Sequence, residues 1–444
     1  MNVRLSVYYA LRHFTGGTKT GRKKARHLLI PILSIALSLM PVIVILVVAN
    51  GMIEGIVMRY LEFDTGHLRM TLHDPAHIRE VTERLPYLRK LKDVTSAYME
   101  IQGHGLLFVR GQRSYVSIHG VPRDLTTIDP GFGRYLTMVS GSFDLNRQNG
   151  IVIGKALAEE YGIKVGDRIF VVTHKTDKKN SDRLFTPRVN HFTVTGIYTI
   201  GYQELDKRTV FISYQDGNLA LSLNNSDTNL KIKVTDPFRD IDRQAAAYER
   251  EIGPHAVFWR LQSWSEINSN YFNAYESTKA LLIFIMLFIV FVAAFNIISS
   301  MIMVVLDHLQ EIGILKSLGA SSSSITFSYV CVGFVTGLVS VLGGVAAGLF
   351  VAVNINEVFH VIDGVATALS SFVSLILTPF TGYHAADAVR ILNPEYYLES
   401  IPIRIDFWEV CGVSLFTLFL SVAFTFYQAW QAGKTRPLEV IRKH

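Results

Sequence analysis

The sequence predicts a membrane protein with four transmembrane helices and a large α+β domain outside the membrane between helices 1 and 2. Three observations predict it. The 444 residues are 49% hydrophobic and only 18% charged, with a mean hydropathy of +0.28, more apolar than a soluble protein of this length needs. Four apolar runs can cross a hydrocarbon core of roughly 30 Å, which takes about 20 residues: Leu28 to Ala49, Leu281 to Leu306, Ile325 to Val353 and Phe407 to Trp430. Basic residues gather at the two ends of the chain and set its orientation, because Lys and Arg beside short segments stay on the cytoplasmic side.

Residues 1–27 form a cytoplasmic basic leader, with Arg4, Arg12, Lys19, Arg22, Lys23, Lys24 and Arg26 and no acid. The leader and the run behind it read as an uncleaved first helix, 28–50, since no small-x-small cleavage site follows. Gly16 to Lys23 imitates the glycine spacing of a P-loop but lacks the Gly-Lys-Ser/Thr ending and a preceding strand, so it is a flexible leader and not a nucleotide site. The net charge of +6 is topological, although an anionic lipid surface gains from it, and nothing points to nucleic acid.

Residues 51–277 read as the external α+β domain. Strands are expected at His67 to Thr71, Val94 to Ile101, Leu106 to Val109, Tyr115 to His119, Ile151 to Ile153, Arg168 to Thr173, Phe192 to Ile197, Val210 to Ile212, Leu230 to Val234 and Ala256 to Trp259. Helices fit Ala76 to Leu85, Lys155 to Tyr161, Tyr214 to Leu221 and Pro237 to Glu251. The first and last parts each suggest a strand-helix pair, with a β-rich insert between them. Val165-Gly166-Asp167 is a turn feeding a strand. His174 to Asn190 is long, polar and basic: it reads either as a solvated hairpin tip or as an arm for an acidic soluble partner. His73 and His77 do not make a metal pair, because Pro75 separates them and no third ligand is evident.

Residues 278–306 are the second transmembrane helix, and Trp264 to Lys279 extends it outward as a stalk. Asn296 within it suits a hydrogen bond to a neighbouring helix. Residues 307–324 are a cytoplasmic connector in which Ile312, Ile314, Leu315 and Leu318 fall within an arc of roughly 160° and Gly313, Lys316 and Ser317 take the rest. One side is made to dock. Residues 325–353 are the third helix, where Gly333, Gly337, Gly344 and Gly348 lie within about 60°, a stripe for close packing inside the chain or against a second copy.

Residues 354–406 read as an external loop, in which Val365 to Phe380 is too short and polar for a span and is expected to be interfacial or re-entrant. Residues 407–430 are the fourth helix, and the tail, 431–444, carries Lys434, Arg436, Arg442 and Lys443 against Glu439, which returns it to the cytoplasm. The two cysteines, Cys331 and Cys411, sit in predicted spans, so the external domain relies on no disulfide.

Several motifs carry a family resemblance: Val48-Ala49-Asn50-Gly51, Ile153-Gly154-Lys155-Ala156-Leu157-Ala158, Val165-Gly166-Asp167, Phe192 to Gly196, Phe295-Asn296-Ile297-Ile298-Ser299-Ser300, Glu311 to Ala320 and Arg436-Pro437-Leu438-Glu439-Val440-Ile441. With them the chain resembles, nearly end to end, the permease subunit of lipoprotein-releasing ABC transporters, the LolC/LolE type of the MacB/FtsX-like superfamily. Glu311 to Ala320 marks the superfamily; the Phe-Asn-Ile-Ile-Ser-Ser run and the domain size favour the lipoprotein-releasing branch.

The resemblance implies a multi-pass protein of the bacterial inner membrane with both termini cytoplasmic and a periplasmic domain that joins a porter-like part to a β-rich part. It implies a non-catalytic chain with no cofactor or metal of its own, ATP and Mg being used by two copies of a separate ATP-binding subunit, and a second permease, copy or paralogue. The substrate would be a lipoprotein drawn from membrane lipids and passed to a periplasmic carrier. Glu311, Ile312, Gly313, Ile314, Leu315, Lys316, Leu318 and Gly319 would couple to the ATP-binding subunit. The first and second spans would enclose the acyl chains, for which Met40, Val44, Val47 and Val48 are candidate lining residues, although residues facing lipid have the same composition. Lys178, Lys179, Arg183, Phe185 and Arg188 occupy the position of the carrier-contacting loop, and their sequence departs from the family pattern. The alternatives are an FtsX-like mechanotransmitting protein that regulates a cell-wall hydrolase and a MacB-like efflux permease.

Overall fold

The structure is a computed structural model and describes residues 19–175, 186–221, 226–252, 260–307, 313–314, 317, 319, 321–381, 398 and 400–434. In chain order, α1 (Lys19–Tyr60) runs into a π-helical turn (Leu61–Thr65), followed by β1 (Leu68–Leu72), α2 (Pro75–Leu88), β2 (Val94–Val109), β3 (Gln112–Val121), α3 (Leu125–Ile128), α4 (Pro130–Tyr135), β4 (Thr137–Gly141), β5 (Gly150–Gly154) and α5 (Lys155–Tyr161). Next come β6 (Arg168–Lys175), β7 (Thr186–Thr199), α6 (Gln203–Arg208), β8 (Thr209–Ser213), α7 (Tyr214–Ala220), β9 (Ser226–Val234), α8 (Ile241–Ile252), β10 (Gln262–Ser263) and α9 (Trp264–Ile267). Four long helices close the chain: α10 (Ser269–Asp307), α11 (Ser322–Val353), α12 (Ile355–Thr381) and α13 (Phe407–Lys434). Two compact units result, one of Met1–Met52, Glu276–Val389 and Ile401–His444, the other of Ile53–Tyr275 and Arg390–Ser400.

The second unit is built on a ten-stranded sheet ordered β10-β1-β9-β2-β3-β8-β5-β7-β4, with β6 pairing β2 and β7. Among the described strands, β3 with β8 and β5 with β7 run parallel and the other pairs antiparallel. At one end, β1, β9 and the start of β2 bury Leu68, Met70, Leu230 and Ile232 against α2 and α8, so the first and last parts each do supply a strand followed by a helix. Beyond them, Ile118, Ile151, Ile153, Val171, Val194 and Val210 form a core between strands. Asp74 caps α2 by accepting from the Ala76 N–H at 2.8 Å, with Pro75 at the first helical position where its missing N–H is harmless.

Several bounds differ from the sequence expectation for physical reasons. The two strands expected at Val94 to Ile101 and Leu106 to Val109 are one, β2. Its Gly103 and Gly105 break the apolar pattern because an added Cβ would lie 2.7 Å from Leu221 Cδ2 and 2.9 Å from Val171 Cγ1. β4 and β10 have few apolar residues and were not legible, and the strand expected at Ala256 to Trp259 lies outside the described residues. The basic leader is helical from Lys19, so α1 starts before the apolar run. The external stalk is interrupted at Asn268, between α9 and α10. The helix expected at Val365 begins at Ile355, with Asn354 alone between it and the end of α11.

The first unit contains α11 and α13 side by side. The glycine stripe of α11 is consumed inside the chain: Gly333 and Gly337 face Thr425 and Ser421 of α13, while Gly344 and Gly348 face Ala36 and Ile43 of α1. Ser421 Oγ donates to the Gly333 carbonyl at 3.3 Å and Thr326 Oγ1 to that of Ala429 at 3.4 Å, so hydroxyls tie helices where no large side chain fits. Three helices are long and apolar enough to cross a membrane, at Leu29–Thr65, Ser322–Val353 and Phe407–Gln431. The protein is a membrane protein with a large domain outside the bilayer.

Within the sheet, Glu100 of β2 is 1% exposed, within 2.5 Å of Lys231 Nζ on β9 and bonded to Nδ1 of buried His119 on β3. Burial pushes the Glu100 carboxyl up, but the Lys231 ammonium and His119 outweigh it and hold it at about 2, against 4.5 ordinarily. That lowering corresponds to about 3 kcal/mol of folding free energy, present in full above about pH 4.5 and lost as the pH falls towards 2. Thermal unfolding of the purified chain followed by near-ultraviolet circular dichroism is expected to be flat from pH 7 to 5 and to fall steeply below pH 4.5. An unfolding midpoint that stays level down to pH 3 would contradict the ionised carboxylate.

Candidate functional site

The connector between α10 and α11 is described only in part. Gly313, Ile314 and Ser317 are helical, and Ser317 Oγ donates to the Gly313 carbonyl at 3.0 Å. Gly319 adopts φ +89°, the left-handed conformation that ends a helix and that glycine alone adopts without strain. Ser321 then caps α11 through the Ser324 N–H, so α11 has its own start after the turn at Gly319. Ile314 is 57% exposed although apolar, while Gly313 is buried. Glu311, Ile312, Leu315, Lys316 and Leu318 lie outside the described residues.

On α1, the four acyl-lining candidates separate. Val47 is fully buried, packed with Leu39, Ile43, Val341 and Val410, and takes no part in a surface. Val47 shares its helix face with the residues that meet α11 and α13. Met40, Val44 and Val48 are half-buried and recur every fourth residue, which sets them in one row. At the end of this segment Asn50 donates to Glu409 of α13, and a Cβ on Gly51 would come 1.9 Å from the Pro402 carbonyl, which is why Asn50-Gly51 stands there.

α10 carries residues the sequence reading missed. Leu281, Phe284, Phe288, Phe291 and Phe295 recur at alternating spacings of three and four and are all at least 58% exposed. On the other side of the helix Met286 packs onto the buried cluster around Ile43. The signal was present as a run of phenylalanines at helical spacing, hidden because every position from Ala280 to Phe295 is apolar. The side chain of Asn296 lies outside the described residues.

In the external unit, β6 and β7 form a long antiparallel hairpin paired as far as Lys175 and Thr186. Its tip, including Lys178, Lys179, Arg183 and Phe185, lies outside the described residues; Arg188 is exposed on β7 opposite Thr173. Across the same sheet region, Tyr115 of β3 pairs with Leu106 of β2, Leu106 with Val172 of β6, and Val172 with Val189 of β7. Tyr115, Leu106, Phe170 and Val189 are 39% to 56% exposed, an apolar stripe across four strands that is left open among the described residues. A strand such as Leu106-Leu107-Phe108-Val109, apolar on both faces, was the available signal, since strands of that kind are normally covered on both sides. Among the described residues no group of three His, Cys, Asp or Glu is placed to hold a metal ion.

Comparison with known proteins matches both halves of the chain. The MacB-like periplasmic core domain matches residues 28–247 and the FtsX-like permease C-terminal domain residues 283–437. The chain is 26% identical over 428 residues to the lipoprotein-releasing system transmembrane protein LolC of Neisseria meningitidis serogroup B, covering 93% of each. It is 24% identical to LolC of Haemophilus influenzae over 100% of both chains, and 22% identical to LolE of the same organism over 84% of this chain and 82% of that one.

Proposed function

Because this chain belongs to the lipoprotein-releasing permeases of the LolC/LolE type, within the MacB/FtsX-like superfamily, we propose that it is the non-catalytic membrane subunit of an ATP-driven transporter that extracts lipoproteins from the inner membrane and hands them to a periplasmic carrier. The observation that carries this reading is the end-to-end match to relatives named for lipoprotein release, which aligns the external domain and the membrane helices together. Hydrolase regulation and efflux are not favoured by those relatives. The chain crosses the inner membrane four times, α10 included, with both ends cytoplasmic and α12 at the outer surface. It binds no cofactor; ATP and Mg belong to two copies of a separate subunit, and a second permease, copy or paralogue, completes the complex.

Three surfaces divide the work. The connector around Ile314 meets the ATP-binding subunit. The phenylalanine row of α10, with Met40, Val44 and Val48 of α1, offers the apolar wall that acyl chains need, since each CH₂ withdrawn from lipid costs about 0.8 kcal/mol. The β6–β7 hairpin and the stripe Tyr115–Leu106–Phe170–Val189 receive the carrier.

Depleting the chain in cells is expected to leave lipoproteins in the inner membrane, read by membrane fractionation; undisturbed sorting to their destination would overturn the transporter reading. For the carrier face, Leu106→Asp with Val189→Asp is expected to weaken capture of the purified carrier by at least about tenfold, the scale of an interface anchor, with unfolding unchanged because both side chains point to solvent. Surface plasmon resonance on the full complex measures it, and native affinity in the double variant would remove this face from the reading.

A further inference from the structure

Two lysines of β9 break the expectation of strand alternation. In Leu230-Lys231-Ile232-Lys233-Val234 the apolar residues fill one core, and the pattern places the lysines in water. Instead Lys231 and Lys233 are each 1% exposed. Both reach the π turn that ends α1. Lys233 Nζ donates to the Glu62 carbonyl at 2.9 Å and lies 2.5 Å from the Glu62 carboxylate, and it also pairs with buried Asp129. Lys231 Nζ donates to the Asp64 carbonyl at 2.6 Å while pairing with Glu100.

Each lysine therefore binds a backbone carbonyl of the turn and a carboxylate at once. The free carbonyls at the end of a helix carry its negative partial charge, and two desolvated ammonium groups complement it. Further contacts fix residues Leu61, Glu62, Phe63 and Asp64 of the same turn. The Val234 N–H donates to His67 Nδ1 at 2.9 Å, leaving His67 Nε2 to face Glu62 at 3.4 Å. Gln102 Nε2 donates to Asp64 at 2.9 Å. Phe63 packs at 4.6 Å on Phe132, and Leu61 enters the core under α2. One turn earlier, buried Arg59 donates to the Ile200 carbonyl at 2.6 Å.

Apolar packing would hold this turn at least as stably, because a buried ion pair rarely outperforms well-packed hydrophobic residues in free energy. What ions and carbonyl bonds add is direction: the turn cannot rotate or slide on β9 without exposing an unpaired charge inside the domain. A π turn at this point fits the same role, since such insertions concentrate where function demands a non-ideal helix.

We propose that the π turn and the two lysines form a rigid joint through which displacement of the end of α1 is carried into the external sheet, making Lys231 and Lys233 positioning residues for lipoprotein release. The inference rests on the transporter reading. It names where movement enters the domain.

The test uses the reconstituted complex of the full chain with its ATP-binding subunit, carrying a lipoprotein and supplied with carrier. In the triple variant Lys233→Met, Glu62→Gln, Asp129→Asn, every charge of one half of the joint is removed together, so no lone ion is left buried. Unfolding and ATP hydrolysis are expected to stay near those of the unaltered complex, while lipoprotein released per ATP falls by about tenfold or more, within the range of coupling between distant sites. A purely structural cluster would not split release from hydrolysis in this way. Unchanged release per ATP in a triple variant that melts normally overturns the joint. Should the triple variant unfold, Glu62→Asp decides instead: it keeps the charge but withdraws it by one methylene, so reduced release per ATP at native stability supports the joint and full release overturns it. If the unaltered complex releases no lipoprotein, the transporter reading falls, and the joint with it.

Discussion

Replacing Leu315 or Leu318 by Asp is expected to reduce ATP-driven lipoprotein release at least tenfold while the permease still inserts into the membrane. By helical spacing in the sequence both residues fall on one apolar arc with Ile312 and Ile314, and Ile314 is 57% exposed in the isolated chain. An apolar side chain held in water between two long helices stores no stability of its own; it becomes favourable only when a partner covers it. A carboxylate placed in that covered position must be desolvated without a partner, which costs several kcal/mol, and about 1.4 kcal/mol is already a factor of ten in contact. Lys316→Ala, which the sequence's helical spacing puts on the opposite arc, is expected to change release less than about twofold. Parallel assays of ATP hydrolysis and lipoprotein release in proteoliposomes give the answer. Normal release in both Asp variants would remove the coupling role from this connector.

The sequence showed most plainly what depends on period and composition. The apolar runs ending α1 and forming α11 and α13 were legible because lipid tolerates few polar residues, and α5 was legible to the residue because Gly154 and Gly162 bound it: a Cβ on Gly154 would meet the Asp206 carbonyl at 1.9 Å, and Gly162 takes φ +63°. The short helices α3 and α6 and the edge strands β4 and β10 were not legible, since their few residues show no clear period and are placed by tertiary contacts. The ionic joint was hidden for a different reason. Lys231 and Lys233 follow the period of a half-exposed strand, and only the arrival of Glu62 and Asp64 from far along the chain turns their solvent face into an interior. Charge partners separated by more than a hundred residues leave no local pattern. Of the candidate sites, Ile314 is exposed, Val47 is buried among neighbouring helices, and the exposed stripe of Tyr115, Leu106, Phe170 and Val189 runs through a doubly apolar strand that the sequence marked only as a strand.

Gly333→Leu is expected to keep the protein from accumulating in a folded state. A single Cβ at Gly333 already falls 2.3 Å from Thr425 Oγ1 and 2.6 Å from both Thr425 Cβ and Cγ2, and a β-branched side chain has little rotamer freedom with which to retreat. The helices would have to separate, breaking the Ser421 and Thr326 bonds to carbonyls of the facing helix, so the loss exceeds the usual 1 to 3 kcal/mol of an overpacked core, on the order of half a domain's stability. Gly343 on the same helix supplies the control, because nothing lies within 4 Å of its Cβ position and Gly343→Leu meets no neighbour in this chain. Pairing Gly333→Ala with Thr425→Ala is expected to recover part of the stability that Gly333→Ala alone loses, a coupling that only a direct contact produces. Folded yield after detergent extraction and the unfolding temperature measure all four proteins. Equal yields of Gly333→Leu and Gly343→Leu would mean that α11 and α13 do not pack as described. If the difference holds, the glycine stripe is occupied within the chain and unavailable to a second permease, while the exposed phenylalanine row of α10 stays open as one apolar surface for a partner helix or an acyl chain.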